Sequence, residues 1–142
     1  MKVRDIMSRQ IVSVAPEESA SVAARLLARH NVGALPVCGK DGRLRGLLTD
    51  RDIVLRCIAA DEDPTQMKVA ELMTRRLICA DAEQSVQAAG ALMAREQVRR
   101  LPVEENGRLV GMLSLGDLAK LPRFTTEAAA ALCEISENLR IR

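Results

Sequence analysis

Two short polar clusters, Thr49-Asp50-Arg51-Asp52 and Ser114-Leu115-Gly116-Asp117, each interrupt an otherwise apolar stretch of the chain. Each sets a hydroxyl three residues ahead of a carboxylate, and that spacing supports two kinds of chemistry. In a capping box the hydroxyl accepts from the amide three residues on while the acid reaches back to the cap amide, a contribution of about 1 kcal/mol. The same geometry can also serve a ligand. A helix start offers free amides and partial positive charge to a phosphate, and an ionised carboxylate is a strong acceptor for two neighbouring hydroxyls. The roles are compatible, because a cap can present the carboxylate to a ligand.

Other reactive residue types form no comparable constellation. The single histidine, His30, closes a helix-spaced segment and reads as an exposed residue or a partner of the helix dipole. Four cysteines at positions 38, 57, 79 and 133 lack the short paired spacing of a zinc site and read as small buried hydrophobes with reduced thiols. The methionines at 7, 73, 93 and 112 read as core. No Gly-x-Ser-x-Gly, Walker A or Cys–His pairing occurs, so neither a catalytic residue nor a bound metal is expected, and the chain is not expected to be an enzyme.

The elements that must position the clusters occur twice. VRDIMSR (3–9) returns as VAELMTR (69–75), and EESASVAARLLARHNVGALPV (17–37) aligns with EQSVQAAGALMAREQVRRLPV (83–103) at the same offset of 66. After a one-residue deletion, GRLRGLLTDRDI (42–53) aligns with GRLVGMLSLGDL (107–118). Such a period exceeds that of solenoid repeats and fits a duplicated supersecondary unit. Each copy begins with a β-rich run, Ile11–Val14 or Leu77–Ala80. A helix follows, N-capped by Ser19 or Ser85, with Val22, Ala23, Leu26 and Leu27 forming one apolar face in the first copy. A strand around Leu35–Val37 or Leu101–Val103, a turn containing Asp-Gly or Asn-Gly, and a second strand make a hairpin that leads into the closing helix. The expected order is β-α-β-β-α, twice: repeat 1 over 1–60, a linker over 61–67, repeat 2 over 68–121 and a helical extension over 122–142. In that extension Ala128, Ala131, Leu132, Ile135 and Leu139 form an apolar stripe that must be buried on the domain or on a second subunit.

Composition narrows the partners. With 48% hydrophobic and 28% charged residues the chain is globular, and a net charge of +2 with one Phe and no Trp or Tyr argues against a nucleic-acid binder. No apolar run approaches the roughly 20 residues of a membrane span, and the charged N-terminus lacks a signal-peptide core, so a cytoplasmic protein is expected.

These residues together resemble a tandem pair of cystathionine-β-synthase (CBS) domains, a Bateman module. The resemblance covers about residues 1–121 and rests on DIMS and ELMT, GALPV and RRLPV, and GLLTDRD and GMLSLGD in order. It implies an α/β fold of two β-α-β-β-α repeats packed by pseudo-two-fold symmetry, with two clefts for an adenosine-containing ligand: AMP, ADP, ATP, NAD(H) or S-adenosylmethionine. Each cleft would take its ribose clamp from one repeat and its adenine and phosphate walls from the other. Site 1 would join Thr49, Arg51 and Asp52 to Cys79, Val98, Arg99, Arg100, Leu101 and Pro102; site 2 would join Ser114 and Asp117 to Ser13, Val32, Gly33, Ala34, Leu35 and Pro36. Arg51, Arg99 and Arg100 stand where the second set has Gly116, Gly33 and Ala34, so site 1 should prefer the more anionic ligand. Cys79 stands where the family often places a hydroxyl. The resemblance further implies a regulatory or sensor role, a homodimer and a regulated partner protein; the competing expectation is a dimeric interaction scaffold that needs no ligand.

Overall fold

The computed structural model describes residues 1–121 and 129–135. Helix α1 spans Ala20–His30 and starts where Ser19 Oγ accepts from Val22 N at 3.2 Å; it stops at Asn31, whose φ of 52° turns the chain out of the helix. Strand β1 (Ala34–Cys38) pairs antiparallel with β2 (Leu44–Thr49), in register from Ala34↔Thr49 to Val37↔Gly46, with a one-residue bulge before Cys38↔Leu44. The chain then enters α2 (Asp50–Ile53), which continues as a π-helical turn over Val54–Ile58. Helix α3 (Val69–Leu72) follows the linker.

The second repeat gives β3 (Ala80–Asp81), α4 (Val86–Glu96), β4 (Arg100–Glu105), β5 (Arg108–Ser114) and α5 (Leu115–Ala119), and residues 129–135 form α6. Its sheet runs β3-β4-β5, with β3 parallel to β4. Asn106 and Gly107 join β4 to β5 with φ of 55° and 78°, the double positive φ that a two-residue hairpin turn demands. Ser85 caps α4 as Ser19 caps α1, and Gln97 ends it at φ 59°. The expected leading strands are curtailed. In Ile11–Val14 only Val14 makes a bridge, to Val37, and in Leu77–Ala80 only Ala80 is in a strand, because each run has a single neighbour to pair with and quickly leaves it.

The packed units differ from the sequence repeats. One unit, here the α1 unit, comprises Val12–Leu77 with Gly107–Leu109; the other, the α4 unit, comprises Met1–Ile11, Ile78–Asn106 and the described residues from Val110 onward. The leading segment of each repeat therefore completes the core built around the other repeat's long helix. In the α4 unit Val3 (0% exposed) and Met7 join Val86, Ala89, Met93, Leu101, Val103, Leu113 and Leu118, and Ser8 exchanges amide hydrogen bonds with Met112 at 2.8 and 2.9 Å. In the α1 unit Val69, Leu72 and Met73 join Ala23, Leu27, Leu35, Val37 and Leu48, and Thr74 exchanges the same bonds with Leu47 at 2.9 and 3.0 Å. Gly46 and Gly111 permit these approaches, since a Cβ at either would press on the backbone oxygen of Thr74 or Ser8.

The C-terminal stripe finds its cover within the α4 unit, where Ala131 and Ile135 are buried while Leu132 stays 44% exposed; Ala128 and Leu139 lie outside the described residues. Of the methionines read as core, 7, 73 and 93 are buried and Met112 is only half-buried. The reading of the cysteines as buried hydrophobes holds for Cys57; Cys38 and Cys79 are half-buried, and Cys133 faces out from α6 because the helix turns Ala131 and Ile135 inward instead. His30 is exposed. No helix among the described residues is long and apolar enough to cross a membrane.

Candidate functional site

Both polar clusters form the capping box. Thr49 Oγ1 accepts from Asp52 N at 3.1 Å, and Asp52 Oδ2 accepts from Thr49 N at 3.0 Å. Ser114 Oγ accepts from Asp117 N at 3.1 Å, and Asp117 Oδ2 accepts from Ser114 N at 2.8 Å. Each aspartate spends one oxygen on the cap. The other oxygen, Oδ1, accepts no hydrogen bond from the described residues, and at Asp52 it has only the Arg56 guanidinium 3.8 Å away. The cap thus fixes a carboxylate with one acceptor edge unspent. Arg56, on the π-helical turn, also donates to Leu72 O at 2.8 Å, which ties that turn to α3. Sequence reading does not single out Arg56; its signal is the i,i+4 spacing from Asp52.

Within the α1 unit the hairpin register sets Thr49 opposite Ala34, so the clamp Thr49, Arg51 and Asp52 lies at the same end of the hairpin as Val32, Gly33 and Ala34. Asp50 N donates to Gly33 O at 3.0 Å and closes that end. Nothing in the sequence marks Asp50 as a neighbour of Gly33, yet its Oδ2 lies 3.6 Å from where a Cβ there would stand. Leu35 is fully buried in the core and Pro36 is buried beside it, so Leu35 offers only its backbone to a surface ligand. Ser13 is exposed, next to the Val14↔Val37 bridge.

The α4 unit repeats the plan. Leu115 N donates to Arg99 O at 2.8 Å, as Asp50 N does to Gly33 O, which brings Val98, Arg99 and Arg100 to the end of the hairpin that carries Ser114 and Asp117. Arg99 and Arg100 are exposed and make no ion pair or side-chain hydrogen bond with the described residues, while Leu101 is fully buried and Pro102 is buried. Each unit therefore gathers the clamp expected of one site and the wall expected of the other.

Cys79 shows why a thiol at this position behaves differently from a hydroxyl. Burial, then a hydrogen bond to the Glu104 carboxylate, push its pKa up from 9.0 to about 11, and the Asp81 charge adds to this. The thiol stays protonated at neutral pH, with the Glu104 carboxylate, two residues beyond Pro102, as one cause. The sequence gives no sign of this partner, because Glu104 lies 25 residues away and meets Cys79 only through the parallel pairing of β3 and β4, Asp81↔Glu104. Among the described residues no group of three or more His, Cys, Asp or Glu is placed to hold a metal.

Comparison with known proteins matches the CBS domain model at residues 3–58 and 69–123. The chain is 42% identical over 136 residues to the CBS domain-containing protein YhcV of Bacillus subtilis, covering 96% of each. It is 42% identical over 132 residues to Hypoxic response protein 1 of Mycobacterium tuberculosis, covering 92% of each. A crystal structure of Hypoxic Response Protein I with two coordinated zinc ions aligns at a TM-score of 0.80 and 41% identity, over 86% of this chain and all of that one. The CBS domain pair of protein MJ0100, in complex with 5-methylthioadenosine and S-adenosyl-L-methionine, aligns at a TM-score of 0.74 and 27% identity, over 84% of this chain and 94% of that one.

Proposed function

As the chain belongs to the CBS domain family and carries two such domains, we propose that it is a regulatory module that binds an adenosine-containing ligand and passes that signal to a partner protein. The observation that carries this reading is the pair of capping boxes, each holding an aspartate with Oδ2 on the cap and Oδ1 accepting no hydrogen bond from the described residues, Asp52 Oδ1 having only the more distant Arg56 guanidinium beside it. Such a carboxylate suits the vicinal hydroxyls of a ribose, since bonds to an ionised acceptor are the stronger kind. The adenosine ligands held by the related MJ0100 pair support the same class of ligand here.

Site 1 combines Thr49, Arg51 and Asp52 with Cys79, Val98, Arg99, Arg100, Leu101 and Pro102; site 2 combines Ser114 and Asp117 with Ser13, Val32, Gly33, Ala34, Leu35 and Pro36. Arg51, Arg99 and Arg100 are exposed and give site 1 the preference for a phosphorylated ligand such as AMP, ADP or ATP. Cys79, its thiol kept protonated mainly by burial, contributes packing to that site. Site 2, without those cations, takes the less anionic ligands, S-adenosylmethionine among them. Ligand shifts the module by no more than its difference in affinity between two states. The setting is the cytoplasm, where adenine nucleotides are abundant and free thiols stay reduced.

The test is a thermal-shift panel of AMP, ADP, ATP, NAD⁺, NADH and S-adenosylmethionine on wild type, Asp52→Asn and Asp117→Asn. Ligand at 100 times its dissociation constant adds about 2.7 kcal/mol, a readily measured shift. A nucleotide response lost in Asp52→Asn supports site 1; an undiminished response removes Asp52 from the reading.

A second reading, a homodimeric interaction scaffold that needs no ligand, is favoured by one observation. Val54, Leu55 and Ile58 on the π-helical turn are 53%, 50% and 53% exposed, a concentration of large apolar side chains on one short segment. Sedimentation of wild type against Leu55→Glu, with and without nucleotide, separates the two: the scaffold dimerises without ligand and loses the dimer on substitution.

A further inference from the structure

The two hairpin turns carry the same dipeptide, Gly42-Arg43 and Gly107-Arg108, which the Thr49-x-x-Asp52 clamp does not employ. Residues Gly107–Leu109 pack within the α1 unit. There Arg43 and Arg108 form an antiparallel bridge, and Leu109 N donates to Gly42 O at 3.3 Å. Bridged residues face each other with Cα atoms about 5 Å apart, and like charges placed directly opposite are destabilising. Each arginine also lies over the glycine of the other turn. The Arg43 guanidinium occupies the space a Cβ on Gly107 would need, and Arg108 Nη1 is 3.8 Å from the corresponding position on Gly42. Both glycines have φ of 78°, so the turns that set up this pairing suit glycine and resist side chains.

The local counter-charge is small. Asp41 accepts from Arg43 N at 3.0 Å and from Arg45 Nη2 at 3.2 Å, and lies 3.8 Å from Arg43 Nε. Arg108 makes no ion pair or side-chain hydrogen bond with the described residues, and Lys40 beside the turn is exposed. Asp41 is therefore the one carboxylate facing the Arg43 and Arg45 guanidinium groups among the described residues, Arg108 has no such partner there, and main-chain pairing holds Arg43 opposite Arg108.

We propose that Arg43, Arg45 and Arg108 form a binding site for a phosphate-class oxyanion, distinct from the nucleotide clamp. A tetrahedral oxyanion accepts paired N–H bonds from planar guanidinium groups and would relieve the repulsion across the Arg43–Arg108 bridge. The clamp is at the far end of the same hairpin, where Ala34 pairs with Thr49, whereas the turn follows the Cys38↔Leu44 pair. Four strand residues at roughly 3.4 Å each put about 14 Å between these ends.

The test titrates inorganic phosphate, pyrophosphate and ATP against wild type, Arg108→Gln, Arg43→Gln and Asp52→Asn, at ionic strength held constant with chloride. Melting temperature and calorimetric titration are the readouts. Phosphate or pyrophosphate stabilises wild type, and Arg108→Gln weakens its binding roughly tenfold, the loss expected for charge-assisted bonds. Asp52→Asn leaves the inorganic ions' binding unchanged. Without added oxyanion at low salt, Arg108→Gln melts no lower than wild type, because it removes a like-charge pair. A free oxyanion as occupant responds to phosphate alone; a phosphate tail as occupant responds to ATP only, with the same loss in Arg108→Gln. The proposal is overturned if neither phosphates nor ATP stabilise wild type, if Arg108→Gln and wild type respond alike, or if the response to inorganic ions disappears in Asp52→Asn.

Discussion

Replacing Gly46 by alanine tests the exchange of leading segments at its tightest point. The added Cβ would stand 2.7 Å from Thr74 O and 3.0 Å from Met73 Sδ. The oxygen cannot withdraw freely, because it accepts from Leu47 N at 3.0 Å while Thr74 N donates to Leu47 O at 2.9 Å. Overpacking of a fitted core costs about 1–3 kcal/mol, and each strained hydrogen bond adds up to about 1 kcal/mol. Loss of glycine's freedom in the unfolded chain returns about 0.4–1 kcal/mol. The net expectation is a destabilisation of about 2 kcal/mol, or roughly 6 °C in Tm for a chain of this size. The assay is urea unfolding followed by far-ultraviolet circular dichroism, since the chain has no Trp or Tyr to report by fluorescence. Gly116→Ala is the control: its Cβ meets nothing closer than Ser114 Oγ at 3.6 Å, and alanine in α5 should add about 0.5–1 kcal/mol. Gly46→Ala as stable as wild type, or Gly116→Ala less stable than Gly46→Ala, would refute the steric argument.

Three further outcomes follow from the same packing and chemistry. Val3→Ala, at a fully buried position of the α4 unit, should cost about 1–3 kcal/mol; hydrogen exchange should quicken in α4 more than in α1, and the reverse pattern would assign residues 1–11 to the wrong core. Thr49→Ala removes the acceptor for Asp52 N and should cost about 1 kcal/mol in urea unfolding, with no effect contradicting the cap. The Cys79 pKa is raised on folding, so the folded chain keeps a proton that the unfolded chain releases; stability should fall as pH rises from 9.0 towards about 11. Cys79→Ser should flatten that decline, and Glu104→Gln should make Cys79 alkylate faster at pH 9; unchanged profiles would remove the Cys79–Glu104 pairing.

Much of the candidate site is legible in the residue order, because its parts are local. A hydroxyl three residues ahead of an acid is a complete statement about a helix start, and both Thr49–Asp52 and Ser114–Asp117 close as that spacing requires. The N-caps Ser19 and Ser85 and the Asn106-Gly107 turn are local in the same sense. Glu104 beside Cys79 and Arg43 opposite Arg108 are not legible there, since each pair is made by strand register between distant segments.

Two copies of one unit, the make-up of each copy and the faces that must leave water are all legible in the order of residues. What covers those faces is set by the packing of the folded chain. The apolar positions of the leading segments, Val3 and Met7 or Val69, Leu72 and Met73, state that a face leaves water and say nothing of its cover, because hydrophobic burial is non-directional. Two similar cores in one chain offered two choices, and the chain takes residues 1–11 to the α4 core and Val69–Thr74 to the α1 core. The choice is expressed at Gly111 and Gly46, where the absence of a side chain lets one backbone lie directly against another.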